Sequence, residues 1–315
     1  MSNSLKLPIL SLALAFLTTA PCLARAIDAA NYIVIDSTTG HVLDAKYPNK
    51  KVQIGSLTKI ATAMVVLDWA TLNKKDLNEL TTIPGGASLL AGVNPTGLMP
   101  GDQVSMRDLL YAALLQSDNV AAYTLAYHVG GYLEANQPNM NPSDRFVAHM
   151  NALARKLEMK NTLFLNPHGL EHLESKLPYS NAADIARLSA YAMSKSAFRF
   201  LVSQKERNIR IVHTDGQASE YLLQNTNELL GTNGIDGVKT GRTQRAGECL
   251  VISSVRTPES HKEGETFIVI PRRILVVVLG STNRFRTATE LLSNGWAIYD
   301  QWAAEGRIVK KGEGF

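Results

Sequence analysis

Cysteine is scarce here: Cys22 and Cys249 are the only two in 315 residues. Cys22 falls in an N-terminal stretch read below as a removed leader, and one remaining cysteine cannot close an internal disulfide. Cys249, in an apolar strand-like run, reads as a small buried hydrophobe rather than a nucleophile. Strong charge is missing too. There are 32 Lys and Arg against 28 Asp and Glu, a net charge of +4, and loss of Lys6 and Arg25 leaves 30 against 28, or +2. That near-balance gives no ground for a nucleic-acid partner. No internal repeat or low-complexity tract is present. The N-terminal apolar run, Leu7 to Leu17, is too short to span a bilayer comfortably. Preceded by Lys6 and followed by Ala24-Arg25-Ala26, it reads as a signal peptide over residues 1–26, cleaved after Ala26. Thr19-Ala20-Pro21 before Cys22 is a poor lipoprotein signal, so the mature chain is expected free in the periplasm or secreted. Metal chemistry also lacks a basis. His168 and His172 are four apart, but Pro167 and Gly169 put them in a loop and no third ligand is suitably spaced, so neither metal nor other cofactor is expected. A phosphate-binding loop is excluded because Val238, not glycine, precedes Lys239.

Three short motifs stand out in order along the chain: Ser56-Leu57-Thr58-Lys59, Ser117-Asp118-Asn119 and Lys239-Thr240-Gly241. A serine hydroxyl is a weak nucleophile at neutral pH and needs a base within reach, plus donors aimed at the oxyanion that forms on attack. On a helix, Ser56 and Lys59 share one face about one turn apart. The helix start would supply unpaired N–H groups and the positive end of the dipole. Leu57, Ile60, Ala61, Met64, Val65 and Leu67 recur at helical spacing, so the helix is largely buried. Lys59 among them is conspicuous, because a buried amine tends to shed its proton, as a general base must. Singly, each motif has a plainer reading. Ser56 could be an N-cap with a solvated lysine, Ser117-Asp118-Asn119 a helix cap, and Gly241 a hairpin glycine.

The rest of the chain fixes the setting. Tyr32 to Ile35 and His41 to Ala45 read as a hairpin around Asp36 to Gly40, and two strands flank a turn between Lys239 and Gly247. Ile274 to Leu279 reads as a buried strand, and Thr287 to Trp302 as a closing helix. Met106 to Phe200 is mostly helical, interrupted at Asn136 to Asn141 and Asn161 to Ser180. Thr257 to Arg273 is expected to extend a hairpin, and Gly85 to Gly101 to form a loop near the cleft entrance. The order predicts an α/β (α+β) fold in one catalytic domain over 27–304: an antiparallel sheet built from both chain ends, with a helical lobe inserted. The cleft between them would gather Ser56, Ser117 and Lys239.

With these motifs the chain resembles the serine D-alanyl-D-alanine carboxypeptidases, the low-molecular-weight penicillin-binding proteins. The likeness runs from about Ala29 to Trp302 and includes Met159-Lys160-Asn161-Thr162 and Asn166-Pro167-His168-Gly169-Leu170. It implies a β-lactamase/transpeptidase-like fold and a peptidoglycan stem-peptide substrate, with β-lactams as covalent inhibitors. It also implies roles: Ser56 as acylated nucleophile, Lys59 as base, Ser117 as proton relay, and Asn119 as holder of the substrate backbone. Lys239, Thr240 and Gly241 would line the carboxylate side. The backbone N–H groups of Ser56 and Arg242 would form the oxyanion hole.

Two positions depart from the family pattern. Asp118 stands where many relatives have glycine, and Asn225-Thr226-Asn227 stands where carboxypeptidases often carry Asn-Arg-Asn, whose arginine helps hold a free carboxylate. Either Arg242 substitutes, or cross-linked peptides are preferred, which would make the enzyme an endopeptidase. Glu158, Asn161, Glu171 and Glu174 show no deacylating motif of the class A β-lactamase kind. Only Glu305 to Phe315 follow the last helix, a short polar tail, so neither the second β-rich domain nor the membrane anchor of larger relatives is expected. A DD-peptidase is thus the leading expectation, ahead of a β-lactamase and of a non-catalytic scaffold, which would have no need of Lys59 in an apolar face.

Overall fold

The structure, a computed structural model, describes residues 27–90, 94–133, 139–171 and 175–309. The expected leader, His172, Glu174 and the end of the polar tail lie outside them. Its backbone is a five-stranded antiparallel sheet in the order β2-β1-β9-β8-β7, made of β1 (Asn31–Asp36), β2 (Val42–Lys46), β7 (Ile235–Thr243), β8 (Gly247–Glu263) and β9 (Thr266–Ser281). Strands from both chain ends meet as β1 pairs with β9. Alternation decides what each face buries. Ile33, Ile35, Val251, Leu275 and Val277 face a helical lobe, while Val34, Leu250, Ile252, Ile274 and Val276 face α7 (Arg284–Ala304). With both faces covered, β9 reads as an unbroken apolar run from Ile274 to Leu279.

Inserted between β2 and β7 are α1 (Thr58–Leu72), α2 (Met106–Leu115), α3 (Asn119–Tyr132), α4 (Pro142–Lys156), α5 (Ala182–Ser194) and α6 (Ser196–Val202). α1 is apolar nearly all round because it is the axis of the lobe, packed by α2 to α6. Polar caps set where several helices begin: Ser105 accepts from Asp108 N, Asp118 from Ala121 N, Asn141 from Ser143 N, and Asn181 from Asp184 N.

A second sheet was not foreseen. β3 (Leu80–Thr82), β4 (Gln103–Ser105), β5 (Glu206–Val212) and β6 (Ala218–Gln224) pair in that order. It matters because β4 leads into the Ser105 cap, and β6 delivers Asn225 to Asn227 to the cleft. The long hairpin read from Thr257 to Arg273 is the outward continuation of β8 and β9. Arg256 and Arg272 both pair with Asp300 on α7, and Glu259 pairs with Arg272 and Arg307.

Of the segment after β3, Thr96 reaches the second motif. Thr96 donates through its hydroxyl (2.5 Å) and backbone N–H (3.3 Å) to Asp118, which is fully buried and caps α3 at 2.9 Å. Asp118 therefore shapes the α2–α3 turn. Asp118→Ala removes the cap and leaves buried donors unpaired, which should lower unfolding free energy by about 2 kcal/mol in urea titrations. A loss within error would show that the turn holds without it.

Candidate active site

Ser56 lies in a 3-10 turn, Gly55–Leu57, that runs into α1. Gly55 has φ +52°, a left-handed conformation open to glycine, which lets the chain turn into the helix. Lys59 in the first turn of α1 is fully buried. Its Nζ meets three oxygens: Ser56 Oγ at 3.0 Å, Asn119 Oδ1 at 2.7 Å and the His168 carbonyl at 2.8 Å. Burial lowers its pKa from 10.5 to about 7, against the opposing pull of Asp118.

Ser117 sits in the three-residue link between α2 and α3, with φ +62°. A non-glycine residue in that region is uncommon and marks a turn held by its surroundings. Asn119, at the start of α3, gives its carbonyl oxygen to Lys59, and its Nδ2 is buried with no partner. A donor so placed is free for an incoming carbonyl.

The third motif lies on an edge strand, and the turn after it is shorter than the stretch from Lys239 to Gly247 expected for it. Lys239 to Gly241 belong to β7, the edge strand, and the turn is confined to Gln244 to Ala246. Lys239 Nζ bonds very closely to Ser117 Oγ and donates to the Thr240 carbonyl at 3.0 Å. Its pKa is driven well down, first by burial, then by Lys59 and Arg284. Gly241 is needed for close approach. A Cβ there would lie 2.9 Å from Ile54 O and 3.3 Å from Ser56 N. The same packing sets the backbone N–H groups of Ser56 and Arg242 near each other, with Arg242 N 3.5 Å from where a Gly55 Cβ would stand. All the residues expected at the site are thus gathered at one cleft.

Three contributors were not legible as such. His168, weighed as a metal ligand, instead offers its carbonyl to Lys59. Its loop is folded by Asn166 Oδ1, which accepts from Gly169 N at 2.6 Å and His168 N at 3.2 Å. Arg284 at the start of α7 donates to the Gly241 carbonyl at 3.0 Å. Thr226 touches Thr240, hydroxyl to hydroxyl, at 2.6 Å. Cys249 is buried, and its thiol pKa is pushed up to about 11 by burial, so it is inert as a nucleophile. Among the described residues no group of acidic, His or Cys side chains could hold a metal.

An architecture of this kind, a sheet from both chain ends against a helical lobe, is the β-lactamase/transpeptidase-like fold of the DD-peptidases. The chain belongs to the D-alanyl-D-alanine carboxypeptidase family, whose model matches residues 16–261. It is 30% identical over 287 residues to the Escherichia coli D-alanyl-D-alanine carboxypeptidase DacC, covering 88% of this chain and 63% of that protein. A Pseudomonas aeruginosa D-alanyl-D-alanine endopeptidase is 35% identical over 235 residues, 73% of this chain and 68% of the relative. The crystal structure of a Streptomyces DD-transpeptidase superimposes with TM-score 0.71 at 29% identity, covering 86% of this chain and 98% of the other.

Lys59 is protonated when unfolded but loses its proton near pH 7 when folded, so the unfolded chain binds more protons between about 7 and 10.5. Stability should therefore rise with pH across that window, by up to ~1.4 kcal/mol per unit from this one residue. Lys59→Met should flatten the slope in pH-dependent urea titrations. Equal slopes in the two proteins would mean that Lys59 stays charged.

Proposed function

We propose that the protein is a serine-type D-alanyl-D-alanine carboxypeptidase of peptidoglycan, working through an acyl-enzyme on Ser56 and trapped by β-lactams. The observation that carries this is the arithmetic at Lys59. A neutral amine has two protons and one lone pair. Asn119 Oδ1 and the His168 carbonyl can only accept, so they take both protons. The lone pair is left for Ser56 Oγ at 3.0 Å.

In this reading Ser56 Oγ attacks the carbonyl carbon of the D-Ala-D-Ala bond while Lys59 takes its proton. The oxyanion develops at the N–H groups of Ser56 and Arg242. Asn119 Nδ2 donates to the substrate backbone, and Lys239 with Thr240 faces its carboxylate end. As the C–N bond breaks, Ser117 hands a proton to the departing amine, drawing on the ammonium beside it. Water then cleaves the ester. The reading places the mature enzyme, free of its leader, outside the cytoplasmic membrane with the cell wall as substrate.

A second reading, the DD-endopeptidase, is favoured by Thr226. Its hydroxyl lies 3.0 Å from the Leu115 carbonyl, which can only accept, so its proton goes there. Thr240 must then donate to Thr226. That leaves Thr240 an acceptor toward ligand, poorly suited to a free carboxylate.

Ser56→Ala should abolish labelling by fluorescent penicillin with an unchanged circular-dichroism spectrum; undiminished labelling would refute Ser56 as nucleophile. Lys59→Ala should slow acylation by about 10²- to 10⁴-fold. In the unaltered enzyme the acylation rate should climb with pH through about 7, as Lys59 becomes neutral. Pentapeptide monomers and cross-linked dimers separate the two readings: free D-alanine marks a carboxypeptidase, and monomers released from dimers mark an endopeptidase.

A further inference from the structure

The second sheet carries a cluster of side chains that the chemistry at Ser56 does not use. Gln103 on β4 pairs with Val212 on β5, so Asp102 and His213, one step further along, stand opposite each other. Ile211 on β5 pairs with Ser219 on β6, and His213 N donates to the Gln217 carbonyl at 2.8 Å, which carries the ladder past the last strand pair. Ser219 is therefore the diagonal neighbour of His213 on one face of the sheet. Adjacent strands thus set an aspartate, a histidine and a serine in a single row.

The contacts along this row run in one direction. His213 Nδ1 lies 3.3 Å from Asp102 Oδ1, and its Nε2 lies 2.8 Å from Ser219 Oγ. Asp102 is only 2% exposed, and its other oxygen accepts from Met99 N at 2.9 Å, which fixes the carboxylate. An ionised carboxylate can only accept, so the proton between Asp102 and His213 belongs to Nδ1. In the neutral imidazole Nε2 then carries the lone pair, and the Ser219 hydroxyl donates to it. The His213 side chain is 39% exposed and Ser219 is exposed, so a reagent can reach the hydroxyl.

As a tie between strands such a row is weak, since polar pairs at a surface contribute little to stability. As a relay it has every part: a hydroxyl, a base within hydrogen-bond reach, and a buried carboxylate that holds the base in the right tautomer. A serine, histidine and aspartate so arranged are recognised by geometry and roles, whatever their order along the chain. Strands rather than loops carry all three, which keeps the spacing firm.

We propose that Ser219, His213 and Asp102 form a second nucleophilic site, an esterase centre for small acyl esters that carry a good leaving group. Ser219 Oγ bonds to the acyl carbon as its proton passes to His213 Nε2, and the C–O bond to an aryl oxygen breaks, the aryloxide leaving with the electron pair. The imidazolium then gives its proton to solvent. Water, deprotonated by the neutral imidazole, cleaves the Ser219 ester, freeing the acid and returning a proton to Oγ. On so open a face the oxyanion is solvated by water, which confines the reaction to leaving groups that depart without being protonated. The two sites are independent, because neither shares a side chain with the other.

The full chain carrying Ser56→Ala tests this, with a fluorescent alkyl fluorophosphonate and p-nitrophenyl acetate as probes. The phosphonyl group should map to Ser219 by peptide mass spectrometry, with release of fluoride, and p-nitrophenol should appear faster than in the Ser56→Ala, Ser219→Ala double variant. His213→Gln, which stays polar but has no basic nitrogen, should slow both reactions by about 10²- to 10⁴-fold. Unaltered enzyme whose Ser56 has first been blocked with penicillin should take the same label, so the outcome does not depend on how the Ser56 variant folds. Absence of label in both preparations, label that survives Ser219→Ala, or rates unmoved by His213→Gln overturns the site.

Discussion

The cleft is organised by one desolvated amine. Lys59 draws its three partners from different places: Ser56 from the turn before α1, Asn119 from the start of α3, and the His168 carbonyl from a loop more than a hundred residues away. A buried amine tolerates no empty donor position, so each of these segments has to be held where it is. That explains why α1 is packed on all sides and why Asp118 fastens the α2–α3 turn. It also explains the tight loop at Asn166 to Gly169, where a Cβ on Gly169 would lie 2.1 Å from Gly55 O.

Chemistry was easier to read from the sequence than framework. Ser56, Lys59, Ser117, Asn119, Lys239 and Gly241 announce themselves because reactive side chains occur in short spaced motifs. A lysine in the middle of an apolar helical pattern is visible without coordinates. The five-stranded sheet was legible for a related reason: β1 and β9 are covered on both faces and therefore strongly apolar. The second sheet was not. β5 and β6 bury only Ile209, Ile211 and Leu223, so their pattern differs little from loop.

What acts through a neighbour was also hidden. Arg284 reaches the cleft through a backbone carbonyl, and any residue can supply a carbonyl, as His168 does for Lys59. Nothing in the sequence marks either contact. Thr226 could be seen only as a departure from a family pattern, because its effect depends on where one proton points. That direction follows from the Leu115 carbonyl, a long-range neighbour that sequence spacing does not reveal. Gly241 admits two readings in the sequence, close backbone approach and a hairpin turn, and the structure decides for the first, since its missing side chain lets the strand lie against the turn before α1.

Lys59 and Lys239 share this cleft, and neither location favours charge. Burial depresses both, and Lys239 is depressed further by Lys59 and by Arg284. Two ammonium groups together in a dry site would repel strongly, so the unliganded cleft favours shedding protons. Under the proposed reaction that state is suited to the first step, in which Lys59 must accept. An anion arriving next to Lys239 reverses the balance there, because an opposite charge restores the protonated form. The proton gained in this way stands against Ser117, on the side from which the leaving amine must be protonated. Ligand binding and proton supply are therefore coupled by electrostatics alone, without movement of either helix, provided that the two lysines stay buried and differently partnered.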